Sequence, residues 1–175
     1  MSRSIWSESL SSFSDAVAAT RPAPAGVTAA AVAADLGMSL MIKAMSITGG
    51  HGELVDAVRR ESARLRGAAD EDVGAVMEFI GVHDAAAKQH AIDAPLRAAR
   101  AAVAGLELCV RASSAVKKTL AVDQAAAEAL IIGALKAIMM CIHANLRGHE
   151  NDYADAAAES KAIEDRARAT GVYSL

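Results

Sequence analysis

Apolar residues recur at helical spacing along almost the whole chain and divide it into six predicted helices. Two of these, residues 28–48 and 123–145, are apolar on nearly every side, and the first carries only two charges, Asp35 and Lys43. A helix of this kind lies inside a bundle, so we expect the two to form its central pair. The pattern predicts an all-α, up-and-down bundle of five or six helices, with residues 1–175 in a single domain.

The other four predicted helices are amphipathic, with apolar positions on one face and charges on the other. Their predicted ranges are 8–21, 51–80, 85–114 and 153–169. Ser7 is the expected N-cap of the first, because its hydroxyl can accept from a free amide of the first turn. Pro95 should kink the fourth, since proline removes a donor and clashes with the preceding turn. Residues 113–121 are polar and basic and are predicted to be a loop.

Unusual turns bound the central helix 28–48. Before it, Pro22 and Pro24 fix an extended backbone, and Gly26 permits conformations closed to other residues. Thr28 is the predicted N-cap, and the free amides of that turn suit an anion or a polar ligand group. The helix ends in a glycine-rich turn with Thr48 and His51 at its two sides. We therefore expect ligand contacts at the helix ends.

Three consecutive acids, Asp70, Glu71 and Asp72, occur midway along the third predicted helix. Successive side chains of a helix point about 100° apart, so the three acids face different directions. Asp72 has three alanines and a valine at helical spacing and should lie at the apolar edge; most neighbours of Asp70 are also small or apolar. A carboxylate there is either paired or has a pKa suited to proton transfer. A solvated acidic patch is the alternative.

Composition narrows the possible functions. The chain is 53% hydrophobic and 3% aromatic, so alanine, leucine, valine and methionine must fill its interior. A formal net charge of -3 without a basic tail argues against a nucleic-acid partner. Charges within both apolar helices favour buried bundle helices over membrane spans. Cys109 and Cys141 lie in apolar helical patterns, which favours free thiols in a reducing cytoplasm. No signal-peptide pattern opens the sequence.

The five histidines form no metal-binding pattern, and we expect no metal cofactor. His51 is an acid–base candidate because it lies in the glycine-rich turn beside Thr48. The sequence contains no serine-nucleophile elbow, phosphate-binding loop or dinucleotide fingerprint.

Six short segments, taken in order, resemble the cyclodeaminase domain of formimidoyltransferase-cyclodeaminase, a family that includes the stand-alone methenyltetrahydrofolate cyclohydrolases. They are residues 22–28, 48–51, 70–76, 94–96, 122–123 and 144–146. The order and spacing hold from about residue 10 to residue 152. The resemblance is that of a diverged member, because Ala25 and Val27 replace two turn glycines, Val116 and Lys117 replace a Gly-Asn pair, and Val122 replaces a serine.

The resemblance implies a homodimeric helical enzyme acting on C–N bonds of a one-carbon-substituted tetrahydrofolate, by cyclohydrolase or cyclodeaminase chemistry and without a cofactor. It places sites at helix ends near the subunit interface and makes Asp70 or Asp72 catalytic. The implied catalytic residues are Asp70, Asp72 and His51. The implied substrate-binding residues are Pro24, Gly26, Thr28, Lys43, Thr48, Asp123 and Asn145. Two alternatives are imine or ring-closing chemistry on a non-folate molecule, and a non-catalytic helical dimer that binds a ligand.

Several of these residues also have structural explanations. Asp123 is the expected N-cap of the helix 123–145. Asn145 either binds a pterin edge or satisfies a helix end. Lys43 needs an anionic partner, for which Asp35 and the substrate are candidates.

Overall fold

The computed structural model describes residues 4–174, which form six α-helices and no strand. The helices are α1 Leu10–Ala18, α2 Gly26–Thr48, α3 Gly52–Val82, α4 Ala85–Ser113, α5 Ala121–Leu146 and α6 Ala154–Ala169. Short 3-10 turns cover Ile5–Ser7 and Lys118–Leu120. The all-α prediction is confirmed, and α4 continues through the buried Pro95.

The central pair of the bundle is α2 and α5, which pack on each other more extensively than any other two helices. They run antiparallel, because Gly26 approaches Cys141 while Gly37 approaches Ala127. A Cβ on Gly37 would lie 2.8 Å from the carbonyl oxygen of Ala127, so the helices touch where a side chain is missing. Helices α3 and α4 complete the core, and α6 packs mainly on α4.

Burial divides α2 into two faces. Met38, Met41 and Met45 are fully buried, so the methionine stripe fills the core as expected. The opposite side is open, and Leu36 and Ile47 are more than half exposed. The expectation that α2 is buried all round is therefore wrong for the isolated chain. By length and composition, α2 and the segment Lys118–Leu146 would be long and apolar enough to cross a membrane, although half of the apolar window of α2 is buried in the bundle.

Three predicted N-caps are wrong. Ser9, not Ser7, caps α1, and its hydroxyl accepts from the amide of Ser12. Helix α2 begins at Gly26, so Thr28 lies inside its first turn. Helix α5 begins at Ala121, so Asp123 also lies inside a first turn. The hydroxyl of Thr28 instead donates to Asp72, and the carboxylate of Asp123 instead accepts from Lys43.

Candidate functional site

The carboxyl group of Asp72 is buried between α3 and the first turn of α2, with 4% of the residue exposed. Its Oδ2 accepts a hydrogen bond of 2.8 Å from the hydroxyl of Thr28, which is itself fully buried. Burial raises the pKa of Asp72, and hydrogen bonds from the side chain and backbone of Thr28 oppose that rise. Asp72 therefore holds its proton to a higher pH than an ordinary carboxyl group and remains able to ionise.

The start of α2 suits a carboxylate. Backbone amides of a first helical turn have no acceptor within their own helix, and the helix dipole adds partial positive charge there. Thr28 offers its amide and hydroxyl to Asp72 together. The amide and hydroxyl of Thr28 stabilise the ionised form of Asp72, so this carboxyl group can lose and regain its proton.

Helix α5 adds a thiol to the same place. A Cβ on Gly26 would lie 3.1 Å from the Sγ atom of Cys141, so the turn and α5 are in contact. Burial first, and the charge of Asp72 second, raise the pKa of Cys141. We call Gly26, Thr28, Asp72 and Cys141 the Asp72 cluster. Sequence reasoning missed Cys141, and its one available signal was its position one helical turn before Asn145.

Asp70 has a different environment from Asp72. Its Oδ2 accepts from the hydroxyl of Ser4 at 2.6 Å, and its Oδ1 accepts from the amide of Ile5 at 2.9 Å. Side chains two positions apart in a helix point about 200° apart, so the two carboxyl groups face opposite sides of α3. Asp70 thus fixes the N-terminal segment to α3, and of the two acids Asp72 has the environment of a proton-transfer group.

Thr48 and His51 lie at the other end of α2. Twenty residues separate Thr28 from Thr48, which corresponds to about 30 Å of helix. Thr48 donates to the carbonyl oxygen of Ala44 at 2.8 Å and accepts from the amide of Lys117 at 3.1 Å. His51 borders a separate cavity of about 770 Å³. Within one chain, these two residues therefore do not meet the Asp72 cluster.

Lys43 and Asp123 form a salt bridge of 2.8 Å between α2 and α5, in a partly exposed position. Of the two candidate partners of Lys43, Asp35 is excluded, because its carboxylate is bound elsewhere. Asp35 is buried and accepts from Ser62 and from the guanidinium group of Arg66. Lys43 and Asp123 therefore join the two central helices toward the Thr48 end.

The remaining predicted residues lie toward the Asp72 end of the bundle. Pro24 is half-buried and precedes Gly26 in the turn. Asn145 is exposed, and its side-chain amide donates to the carbonyl oxygen of Ala91 at 3.2 Å, which joins α5 to α4. Within residues 4–174, no group of three or more histidine, cysteine, aspartate or glutamate side chains is placed to hold a metal ion.

The family model described as Formiminotransferase-cyclodeaminase matches residues 9–164. Among solved structures, formiminotetrahydrofolate cyclodeaminase from Thermotoga maritima is similar, with a TM-score of 0.85 at 18% sequence identity. The similarity covers 95% of this chain and 93% of that one, and at this identity it shows a shared fold. No curated protein sequence matches the chain.

Proposed function

Because the chain belongs to the formiminotransferase-cyclodeaminase family, we propose that it is an enzyme acting on a C–N bond of a one-carbon-substituted tetrahydrofolate. The reaction is cyclodeamination of a formimino group or hydrolysis of a methenyl group. The observation that carries this proposal is the buried carboxyl of Asp72, which has a raised pKa and meets the first turn of α2. The structural neighbour is named for formiminotetrahydrofolate.

The replaced turn glycines are compatible with this function. Val27 stands at one of these positions and is buried in the hydrophobic core, so its side chain does not fill the turn. Ala25 stands at another, is exposed, and adds only a methyl group at the N-cap of α2. Gly26 is retained where α5 meets the turn, with Cys141 against it. The turn thus keeps its close approach despite the substitutions.

In cyclodeamination, a ring nitrogen attacks the formimino carbon, a new C–N bond closes the ring, and ammonia leaves. Asp72 begins protonated and gives its proton to the formimino nitrogen. It then accepts the proton of the attacking nitrogen and passes it to the departing ammonia. The step consumes one proton overall and leaves a carboxylate beside a cationic methenyl product, whose charge it stabilises. The hydrogen bonds from Thr28 stabilise that final carboxylate.

We also propose that the active form is a homodimer. Of the described residues, none in α1 is buried, although Leu10, Phe13 and Val17 give it an apolar face. We call the exposed side of the central pair the outer face; its large apolar residues are Leu36, Ile47, Val122, Leu130 and Met140. Exposed apolar area of this extent is typical of an interface. A second copy is the proposed occupant, because a two-fold interface uses the same surface patch of both subunits.

The test is a direct assay of the purified protein with formimino-tetrahydrofolate and with methenyl-tetrahydrofolate, in which formation or loss of the methenyl chromophore is followed. We expect turnover of one of the two. A chain that binds neither folate in a thermal-shift assay, yet is stabilised by an unrelated imine, would assign the same site to the non-folate alternative. A folded chain that turns over neither and binds neither folate nor imine would contradict the enzymatic proposal.

A further inference from the structure

The cavity that His51 borders lies between the start of α3 and the end of α4. Its volume of about 770 Å³ falls within the usual range of small-molecule pockets, roughly 300–1,000 Å³. A Cβ on Gly50 or Gly52 would meet nothing within 4 Å, so the space beside this turn is open. No residue of the Asp72 cluster lines the cavity, which is therefore separate from the candidate catalytic centre.

Two arginines from different helices line this cavity, Arg60 on α3 and Arg111 on α4. Most other arginines among residues 4–174 form a salt bridge with a carboxylate, but these two form neither a salt bridge nor a hydrogen bond within that range. Both side chains are exposed and remain charged at every physiological pH. Two cations that border one space without a carboxylate partner attract an anion into it.

One acid lines the same cavity. Glu53 lies in the first turn of α3, is exposed, and forms a salt bridge with neither arginine. Seven residues separate it from Arg60, which corresponds to roughly 10 Å along the helix. An anion can therefore contact the guanidinium group of Arg60 without contacting this carboxylate. Two arginines against one glutamate leave the lining with an excess of positive charge.

The arrangement of these donors suits a phosphate group better than a carboxylate. One guanidinium group already satisfies both oxygens of a carboxylate through two parallel hydrogen bonds. A phosphate monoester has three acceptor oxygens, so it can accept from two guanidinium groups that approach from different helices. The start of α3 adds backbone amide donors, because the side chain of its N-cap residue, His51, does not cap it. Such donors occur at many helix starts, so the two arginines, and not the helix start, define the site.

Apolar side chains form another part of the cavity wall. Leu54 on α3 is half-buried and Leu108 on α4 is buried, and both line the space that the arginines border. An inorganic phosphate ion would leave these two leucines uncovered. A ligand that fills the cavity therefore carries an organic part beside its phosphate group.

We propose that this cavity binds a phosphate monoester of a small organic molecule. The phosphate group lies between Arg60 and Arg111, and the organic part packs on Leu54 and Leu108. The site is separate from the folate site, and neither proposal depends on the other.

Isothermal titration calorimetry of the full chain tests the proposal with phenyl phosphate, inorganic phosphate and benzoate. Phenyl phosphate should bind saturably, and more tightly than inorganic phosphate, because its ring covers the leucines. Benzoate should bind at least about tenfold more weakly than phenyl phosphate, since a carboxylate cannot accept from both arginines as fully. Equal affinities of phenyl phosphate and inorganic phosphate would indicate a site for the free ion and overturn the assignment of an ester. Benzoate binding as tight as that of phenyl phosphate would overturn the choice of phosphate.

Variants locate the binding. Arg60→Gln and Arg111→Gln should each weaken the binding of phenyl phosphate at least about tenfold. Both side chains are exposed, so circular dichroism should show an unchanged fold. The matched control is Arg59→Gln, which removes a neighbouring exposed arginine that pairs with Asp56 and does not line this cavity; it should leave binding unchanged. The site is contradicted if phenyl phosphate does not bind the folded wild-type chain saturably, if binding survives both variants, or if Arg59→Gln weakens it equally.

Discussion

The hydroxyl of Thr28 donates a 2.8 Å hydrogen bond to Oδ2 of Asp72, across 44 residues of sequence and at a position closed to solvent. This bond joins the first turn of α2 to the middle of α3. It also places one ionisable group where burial raises its pKa and a helix start lowers it. The balance between these two effects sets the pH at which the candidate site changes charge.

Asp72→Asn should lower turnover of the folate substrate at least about a hundredfold, because it removes a proton-transfer group while keeping the side-chain size. Asp56→Asn is the matched control: it lies on the same helix and is exposed, so its activity should be unchanged. Steady-state rates of the two variants against wild type decide the outcome. Thermal unfolding should show that Asp72→Asn remains folded, since asparagine can still accept from Thr28. Full activity of folded Asp72→Asn would exclude this carboxyl as the catalytic group.

Local features of this site could be predicted from the sequence, whereas contacts between residues far apart in the sequence could not. The apolar runs of α2 and α5 predicted the central pair, because periodicity is a local property. The capping role of Thr28 was wrong because a buried acceptor 44 residues away takes its hydroxyl. Helical geometry predicted that Asp70 and Asp72 point apart, but only the fold shows that one meets Ser4 and the other meets Thr28. Cys141 was missed because nothing near it in sequence indicates that Gly26 lies against it.

Thr28→Val should shift the pH–rate profile to higher pH. The hydrogen bond from the Thr28 hydroxyl lowers the pKa of Asp72, so its removal raises that pKa further. If protonated Asp72 is the acid, the limb on which activity falls with rising pH moves upward. Thr28→Ser keeps a hydroxyl and should restore the wild-type profile. The measurement is kcat/KM from acid to alkaline pH; an unmoved or downward-shifted limb would show that this bond does not control the catalytic group.

Gly37→Ala should destabilise the fold by about 1–3 kcal/mol, the usual cost of overpacking. Its Cβ would lie 2.8 Å from the carbonyl oxygen of Ala127 and 2.9 Å from Cγ1 of Ile131, so α2 and α5 must separate. Gly74→Ala is the matched control, since a Cβ there meets nothing within 4 Å. Alanine is the better helix former by up to about 1 kcal/mol, so this control should be stabilised. Urea unfolding of both variants measures the difference; equal effects would show that the two helices do not touch at Gly37.

The free energy of unfolding should fall as the pH rises above about 6.5, the ordinary pKa of histidine. A hydrogen bond with Glu78 first, and interactions with Glu71 second, raise the pKa of His90 in the folded chain. A raised folded pKa gives stability that is complete below the unfolded pKa and is lost as the pH rises through the folded one. Arg97 also binds Glu71 and remains charged throughout, so part of the network persists. His90→Gln should reduce this pH dependence in urea unfolding at pH 6 and pH 8; an unchanged dependence would assign it to other groups.

Met140→Lys should weaken self-association. Met140 is 72% exposed on the outer face of α5, where a second copy would cover it, and a charge buried there without a partner opposes association. Met77→Lys is the matched control, because Met77 is 51% exposed on α3 and lies outside the outer face. Sedimentation velocity at micromolar concentration should give a dimer for wild type and for Met77→Lys, and monomer for Met140→Lys. The monomeric variant should remain helical by circular dichroism, because within one chain its side chain already faces solvent. A wild-type monomer, or equal dissociation of both variants, would leave the exposed outer face without a second copy to cover it and would contradict the homodimer.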